Sequence, residues 1–85
     1  MNELRQISGI VLVMDDNELI RKVVCCMLKT CGFEAYITEN GVQAIEVYKK
    51  VKDSGYPFDA VILDLNIPNG MGGKYTIKKL LEIDP

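Results

Sequence analysis

At 85 residues the chain is long enough for one domain only, and a domain this small has a thin core. Its composition is globular, with 48% hydrophobic and 26% charged residues. Ten basic against twelve acidic side chains give a net charge of -2, and no stretch reads as a basic recognition helix, so no nucleic-acid surface is expected.

Residues 1–9 read as a lead-in, with Gly9 as a turn before the first strand. Ile10 to Met14 is an unbroken apolar run rich in β-branched residues and stopped by Asp15 and Asp16. Such a run suits a strand at about 10–14 that is covered on both faces, as in a parallel sheet between helices. Asn17, or alternatively Asp16, caps a helix over about 17–31. Ile20, Val23, Val24, Met27, Leu28 and Cys31 recur at three- and four-residue spacing, which predicts one packing stripe. Gly32 ends this helix.

Alternation of Phe33, Ala35 and Ile37 with Glu34, Tyr36 and Thr38 predicts an outer strand over 33–38. Asn40 caps a second helix at 41–53, and Gln43 completes a capping box. Ala44, Ile45, Tyr48 and Val51 form its packing side, while Lys49, Lys50 and Lys52 lie toward the C-terminal end of its dipole. A turn over 54–57 leads into a second apolar strand, about 58–64, with Ala60 to Leu63 as its centre and Asp64 near its end. Residues 66–73 are rich in glycine and form a loop. A third helix follows over about 73–83, packing through Ile77, Leu80 and Leu81.

Two apolar strands thus deliver aspartates at their carboxyl ends, where parallel α/β sheets form their ligand crevice. If those strands are neighbours, ~4.8 Å apart, Asp15, Asp16 and Asp64 converge. Two unit charges ~4 Å apart repel by roughly 4 kcal/mol near a protein surface, so a proton or a cation has to relieve the cluster. An all-oxygen site without histidine or thiolate suits Mg2+. Asp16 is the expected direct ligand and Asp15 acts through a bound water. The backbone carbonyl of Asn66 contributes a further oxygen. Asp64 is the expected phosphoryl acceptor, since a carboxylate can form an aspartyl phosphate and a cation neutralises the oxygens involved. The competing reading is that Asp15 and Asp16 only cap the first helix and meet solvent.

Cys25, Cys26 and Cys31 have neither metal-site nor disulfide-framework spacing and read as reduced thiols. With no histidine in the chain, a catalytic thiol lacks a base. No apolar run approaches the ~20 residues of a membrane span, and no secretion-type apolar core precedes the first strand. A cytoplasmic location is expected, with no membrane partner.

The run Ile10 to Glu18, the Asn40-Gly41 helix start, the strand Asp59 to Leu65 and the following Pro68 together resemble the receiver domain of two-component response regulators. The resemblance covers 10–85. It implies a flavodoxin-like three-layer α/β sandwich with parallel strands in the order 2-1-3. It also implies Asp64 as phosphoacceptor from a histidine kinase or histidine phosphotransfer protein, with Mg2+ held by Asp15, Asp16, Asp64 and Asn66. Such a domain is a signalling phosphoacceptor rather than a dedicated enzyme. The loop Pro68-Asn69-Gly70-Met71-Gly72-Gly73 departs from the usual family pattern and resembles the glycine-rich variant in receivers attached to hybrid histidine kinases.

The family pattern continues for two more strands and two more helices, roughly 40–50 residues at ordinary element lengths. These carry a phosphate-sensing hydroxyl and a lysine. Residues 1–85 are therefore expected to be a partial receiver, truncated after the third helix and lacking strands 4 and 5. The third strand would then be an open apolar edge, and a homodimer through it is expected. The alternative functional reading is a noncatalytic truncated receiver acting as an interaction or assembly module. A metal-dependent phosphatase of another α/β fold is disfavoured, because the chain offers no convincing general acid.

Overall fold

The computed structural model describes residues 8–64 and 73–84. Along the chain they form β1 (Gly9–Met14), α1 (Glu18–Thr30), β2 (Phe33–Thr38), α2 (Gly41–Asp53), β3 (Ala60–Leu63) and α3 (Gly73–Ile83). The three strands make one parallel sheet in the order β2-β1-β3. This is the flavodoxin-like arrangement of alternating strands and helices. The apolar run of β1 is in the middle because it is the strand that can be covered on both faces. Val11, Leu12, Val13 and Met14 are all buried, whereas β2 and β3 bury less.

Alternation along β1 divides the core between two layers. Leu12 and Met14 pack with Ala44, Val47 and Tyr48 of α2 and with Tyr36, Phe58, Val61 and Leu63. Phe58 meets Tyr36 edge-on and stacks on Tyr48, with both centroid distances 5.4 Å. Val11 and Val13 face the opposite way, where α1 lies against β2. Each such fully buried aliphatic side chain contributes roughly 1.5–3 kcal/mol. Among the described residues only six hydrophobic side chains are buried, so the fold has little stability to spare.

The helix ends follow local chemistry. Asn17 caps α1 by accepting from the Ile20 amide at 3.1 Å, and Asn40 caps α2 by accepting from the Gln43 amide at 2.9 Å. The reciprocal bond of the second cap is displaced by one residue: Gln43 Oε1 accepts from the amide of Glu39, at 2.8 Å. Gly32 adopts φ +90° just after α1, a backbone region that favours glycine. Lys52 ties the end of α2 to the end of α3. It donates to the Ile83 carbonyl at 2.8 Å and lies 3.8 Å from the Asp84 carboxylate, which also accepts from Tyr48.

Several local expectations are corrected. Gly9 belongs to β1 rather than to a turn. Its lack of a side chain leaves room for the Asp59 carboxylate, which accepts from the Ile10 amide at 2.7 Å. β3 is shorter than 58–64, since Phe58 and Asp59 precede the ladder and Asp64 follows it. The α1 stripe is only partly covered, with Val24 and Leu28 half-buried. No residue of α1 is buried, and Ile20, Val23 and Met27 are 45%, 49% and 63% exposed. On α3, Leu80 is buried while Ile77 and Leu81 are open, and Thr76 is fully buried instead.

Candidate metal-binding carboxylate cluster

The site is built on the end of β1. The amide of Asp15 donates to the Thr38 carbonyl at 3.1 Å, which carries the β1–β2 ladder one residue past Met14. The amide of Asp64 donates to the Met14 carbonyl at 2.9 Å, which pins the end of β3 to the same point. The buried Thr38 hydroxyl adds a 2.7 Å bond to the Val13 carbonyl and fixes β2 there. Two short backbone bonds to one strand end therefore decide that acids separated by nearly fifty residues meet.

Asp15, Asp16 and Asp64 each offer a carboxylate oxygen, and the three oxygens lie within 4.8 Å of one another. The convergence expected from the strand ends is present. Asp15 and Asp64 are half-buried and Asp16 is exposed. Asp15 is held twice. Its Oδ1 accepts from the Asn17 amide at 2.9 Å, a local turn that orients the carboxylate, and its carbonyl accepts from Arg21 Nη1 at 2.8 Å. The α1 cap itself is Asn17, so capping does not account for Asp16 or for the approach of Asp64. The positive end of the α1 dipole faces this corner.

Three clustered carboxylate oxygens form a hard, all-oxygen donor set of a kind that can coordinate a divalent cation. Asn66 and the loop 65–72 lie outside the described residues. The three cysteines are free thiols on α1 or just beyond it and take no part in the cluster. Arg21 was not anticipated as a site residue. The signal was a cation one turn after the Asn17 cap, on the side of the helix that returns to the acidic pair.

The family model for the response regulator receiver domain matches residues 11–85. The chain belongs to the response regulator receiver domain family. This receiver domain is 34% identical over 76 residues to the chemotaxis protein CheY of Thermotoga maritima, an alignment covering 88% of this chain and 58% of that protein. It is 31% identical over 58 residues to hybrid signal transduction histidine kinase I of Dictyostelium discoideum, covering 68% of this chain but 3% of the much longer kinase. Among solved structures, the receiver domain of the Arabidopsis thaliana histidine kinase CKI1, complexed with Mg2+ and BeF3-, superposes with a TM-score of 0.79 at 26% identity. That match covers 96% of this chain and 60% of the CKI1 chain. The receiver domain described here thus spans about three-fifths of the CheY and CKI1 chains it matches. No helix among its described residues is long and apolar enough to cross a membrane.

Proposed function

We propose that this chain is one partial receiver unit, residues 1–85, that takes a phosphoryl group onto Asp64 in a two-component phosphorelay. The observation that carries the reading is the meeting of Asp15, Asp16 and Asp64 within 4.8 Å across the ends of β1 and β3. A lone acid at a strand end needs no explanation, but three that share one corner call for a cation. Mg2+ would be held by Asp16 and Asp64 directly, by Asp15 through water and by the Asn66 carbonyl; it would neutralise oxygens on the incoming phosphate and on the acceptor. The CKI1 receiver, solved with Mg2+ and BeF3-, supports that ligand chemistry for this fold.

The donor is the phosphohistidine of a histidine kinase or a histidine phosphotransfer protein. An Asp64 carboxylate oxygen attacks the phosphorus, the donor P–N bond breaks, and its electron pair stays on the imidazole nitrogen, which takes up a proton. Asp64 is suited to this because its backbone is anchored to the end of β1 at Met14. Arg21 acts as a positioning residue through the Asp15 carbonyl. The free thiols of Cys25, Cys26 and Cys31 favour a reducing, cytoplasmic setting.

A second reading is an assembly module that keeps the half-fold without phosphotransfer. It is favoured by the exposed apolar positions Ile20, Val23 and Met27 of α1. Incubation with acetyl phosphate and Mg2+, followed by intact mass measurement, separates the two. The phosphoacceptor reading expects a gain of one phosphoryl group that Asp64→Asn abolishes. A folded protein that gains none supports the assembly module.

A further inference from the structure

A groove of about 430 Å³ lies between α1 and Ile37 of β2. Its helical wall follows the α-helix repeat: Arg21, Lys22, Cys25, Cys26 and Lys29 recur at three- and four-residue spacing. This face of α1 is turned toward β2 and away from the Ile20, Val23 and Met27 stripe. The groove is thus at the β2 end of the sheet order β2-β1-β3, and strands placed beyond β3 would lie at the opposite edge. Three cations and one carboxylate, Glu18, line it, so it is locally positive on a chain whose net charge is -2. Glu18 lies 3.7 Å from Lys22, but both side chains are largely exposed, and such a pair holds a lysine weakly. Arg21 uses Nη1 on the Asp15 carbonyl, and a guanidinium has further N–H groups to offer.

Cys25 stands in the middle of this charge. Arg21 and Lys22 precede it by four and three residues and Lys29 follows it by four, the spacings at which helix side chains meet. Cys31 is the more exposed thiol, but it lies outside the groove, at the carboxyl end of α1, where the helix dipole repels anions. We propose that Cys25 is a modification site for small disulfides that carry carboxylates, the class of glutathione disulfide. The groove cations hold the reagent's carboxylates while Cys25 Sγ, as thiolate, attacks one of its sulfurs. A bond forms between Sγ and that sulfur, and the reagent's own S–S bond breaks. Its electron pair leaves with the second half of the reagent, which takes up a proton, and the proton of the Cys25 thiol goes to water. The reagent is the oxidant. The mixed disulfide has no resolving partner in the chain. Cys25 and Cys26 are adjacent on a helix, with Cα atoms ~3.8 Å apart, closer than the ~4.4 Å at which disulfides begin. Cys31 is a helical rise of ~9 Å from Cys25, beyond the ~7 Å limit. Asp15, Asp16 and Asp64 take no part, so the inference does not depend on phosphotransfer.

Timed reaction of the reduced 85-residue chain with three disulfides tests it, with adducts at each cysteine followed by peptide mass spectrometry. The reagents are glutathione disulfide, cationic cystamine and neutral hydroxyethyl disulfide. Glutathione disulfide should modify Cys25 roughly tenfold faster than Cys31, and cystamine should not share that preference. Replacing both exposed lysines, Lys22→Glu with Lys29→Glu, should remove the preference and leave the rates with hydroxyethyl disulfide unchanged. Circular dichroism checks that the variant folds. Should it not, high salt screens the same charges in the wild type and should remove the preference likewise. First modification of Cys26 or Cys31 by glutathione disulfide overturns the inference. So does an equal preference for Cys25 with all three reagents, which would place its cause in the thiol rather than in the groove. A preference that survives both charge reversal and high salt would also overturn it.

Discussion

Replacing Asp16 by Asn should stabilise the metal-free protein and destabilise it relative to wild type once Mg2+ is present. Asp16 is the exposed member of the cluster, and both of its carboxylate neighbours lie within 4.8 Å. At that separation each pair of charges repels by about 0.9 kcal/mol in bulk water and about 3.5 kcal/mol at the effective dielectric of a protein surface. Exposure places Asp16 near the lower figure, so removing its charge relieves about 2 kcal/mol over two pairs. Against this, a negative charge beside the start of α1 is favoured by the helix dipole, by about 0.3–1 kcal/mol. The net gain is about 1 kcal/mol, or roughly 4–8 °C in melting temperature for a domain of this size. A cation at one hundred times its dissociation constant would stabilise the wild type by about 2.7 kcal/mol. The variant, with a weaker site, gains less, and the order of the two melting curves inverts. The assay is thermal melting in low-salt buffer, with chelator and then across a Mg2+ series. A variant that melts lower than wild type with chelator, and shifts equally with Mg2+, would show that Asp16 is neither repelled by its neighbours nor a ligand.

Two further substitutions test the scaffold. Leu12 is wholly buried at the centre of the α2-side core, and Leu12→Ala should cost about 2–5 kcal/mol. In so small a core that should abolish the cooperative transition, and a melt retaining a sharp midpoint within a few degrees of wild type would contradict it. Burial, then the hydrogen bond to Asp84, then the Asp84 charge hold the Tyr48 phenol above its ordinary pKa of 10.0. The folded state therefore holds the proton more tightly than the unfolded state. The resulting stabilisation is complete below pH 10.0 and is lost as pH rises through the folded value. Tyr48→Phe should cost about 0.5 kcal/mol at neutral pH, small because the contact is solvent-screened, and should flatten the alkaline decline seen by urea denaturation. Identical alkaline slopes in the two proteins would remove Tyr48 from that clamp.

Much of the fold was legible because its signals are local. The unbroken apolar runs of β1 and β3, the alternation in β2 and the asparagine caps each state one conformational preference, and the structure satisfies all of them together. The meeting of Asp15, Asp16 and Asp64 was legible for a topological reason: adjacent parallel strands deliver their carboxyl ends to one side. Coverage was not legible. Periodicity shows that Ile20, Val23 and Met27 share a face of α1, but whether another element lies on that face is a tertiary fact. For the same reason Thr76 is buried while Leu81, five residues on, is exposed. Gly9 was misread because glycine at a strand entry can mark either a turn or a close approach, and only the position of Asp59 distinguishes them.

Paramagnetic Mn2+ titrated into isotopically labelled protein reads directly whether the two strand ends share a single cation. One saturating event, competed away by excess Mg2+, should broaden the amide signals of Asp15, Asp16 and Asp64 together, and Asp64→Asn should weaken the effect at residues 15 and 16 as well. Broadening confined to Asp15 and Asp16, with the same Mn2+ affinity in Asp64→Asn, would contradict a shared cation.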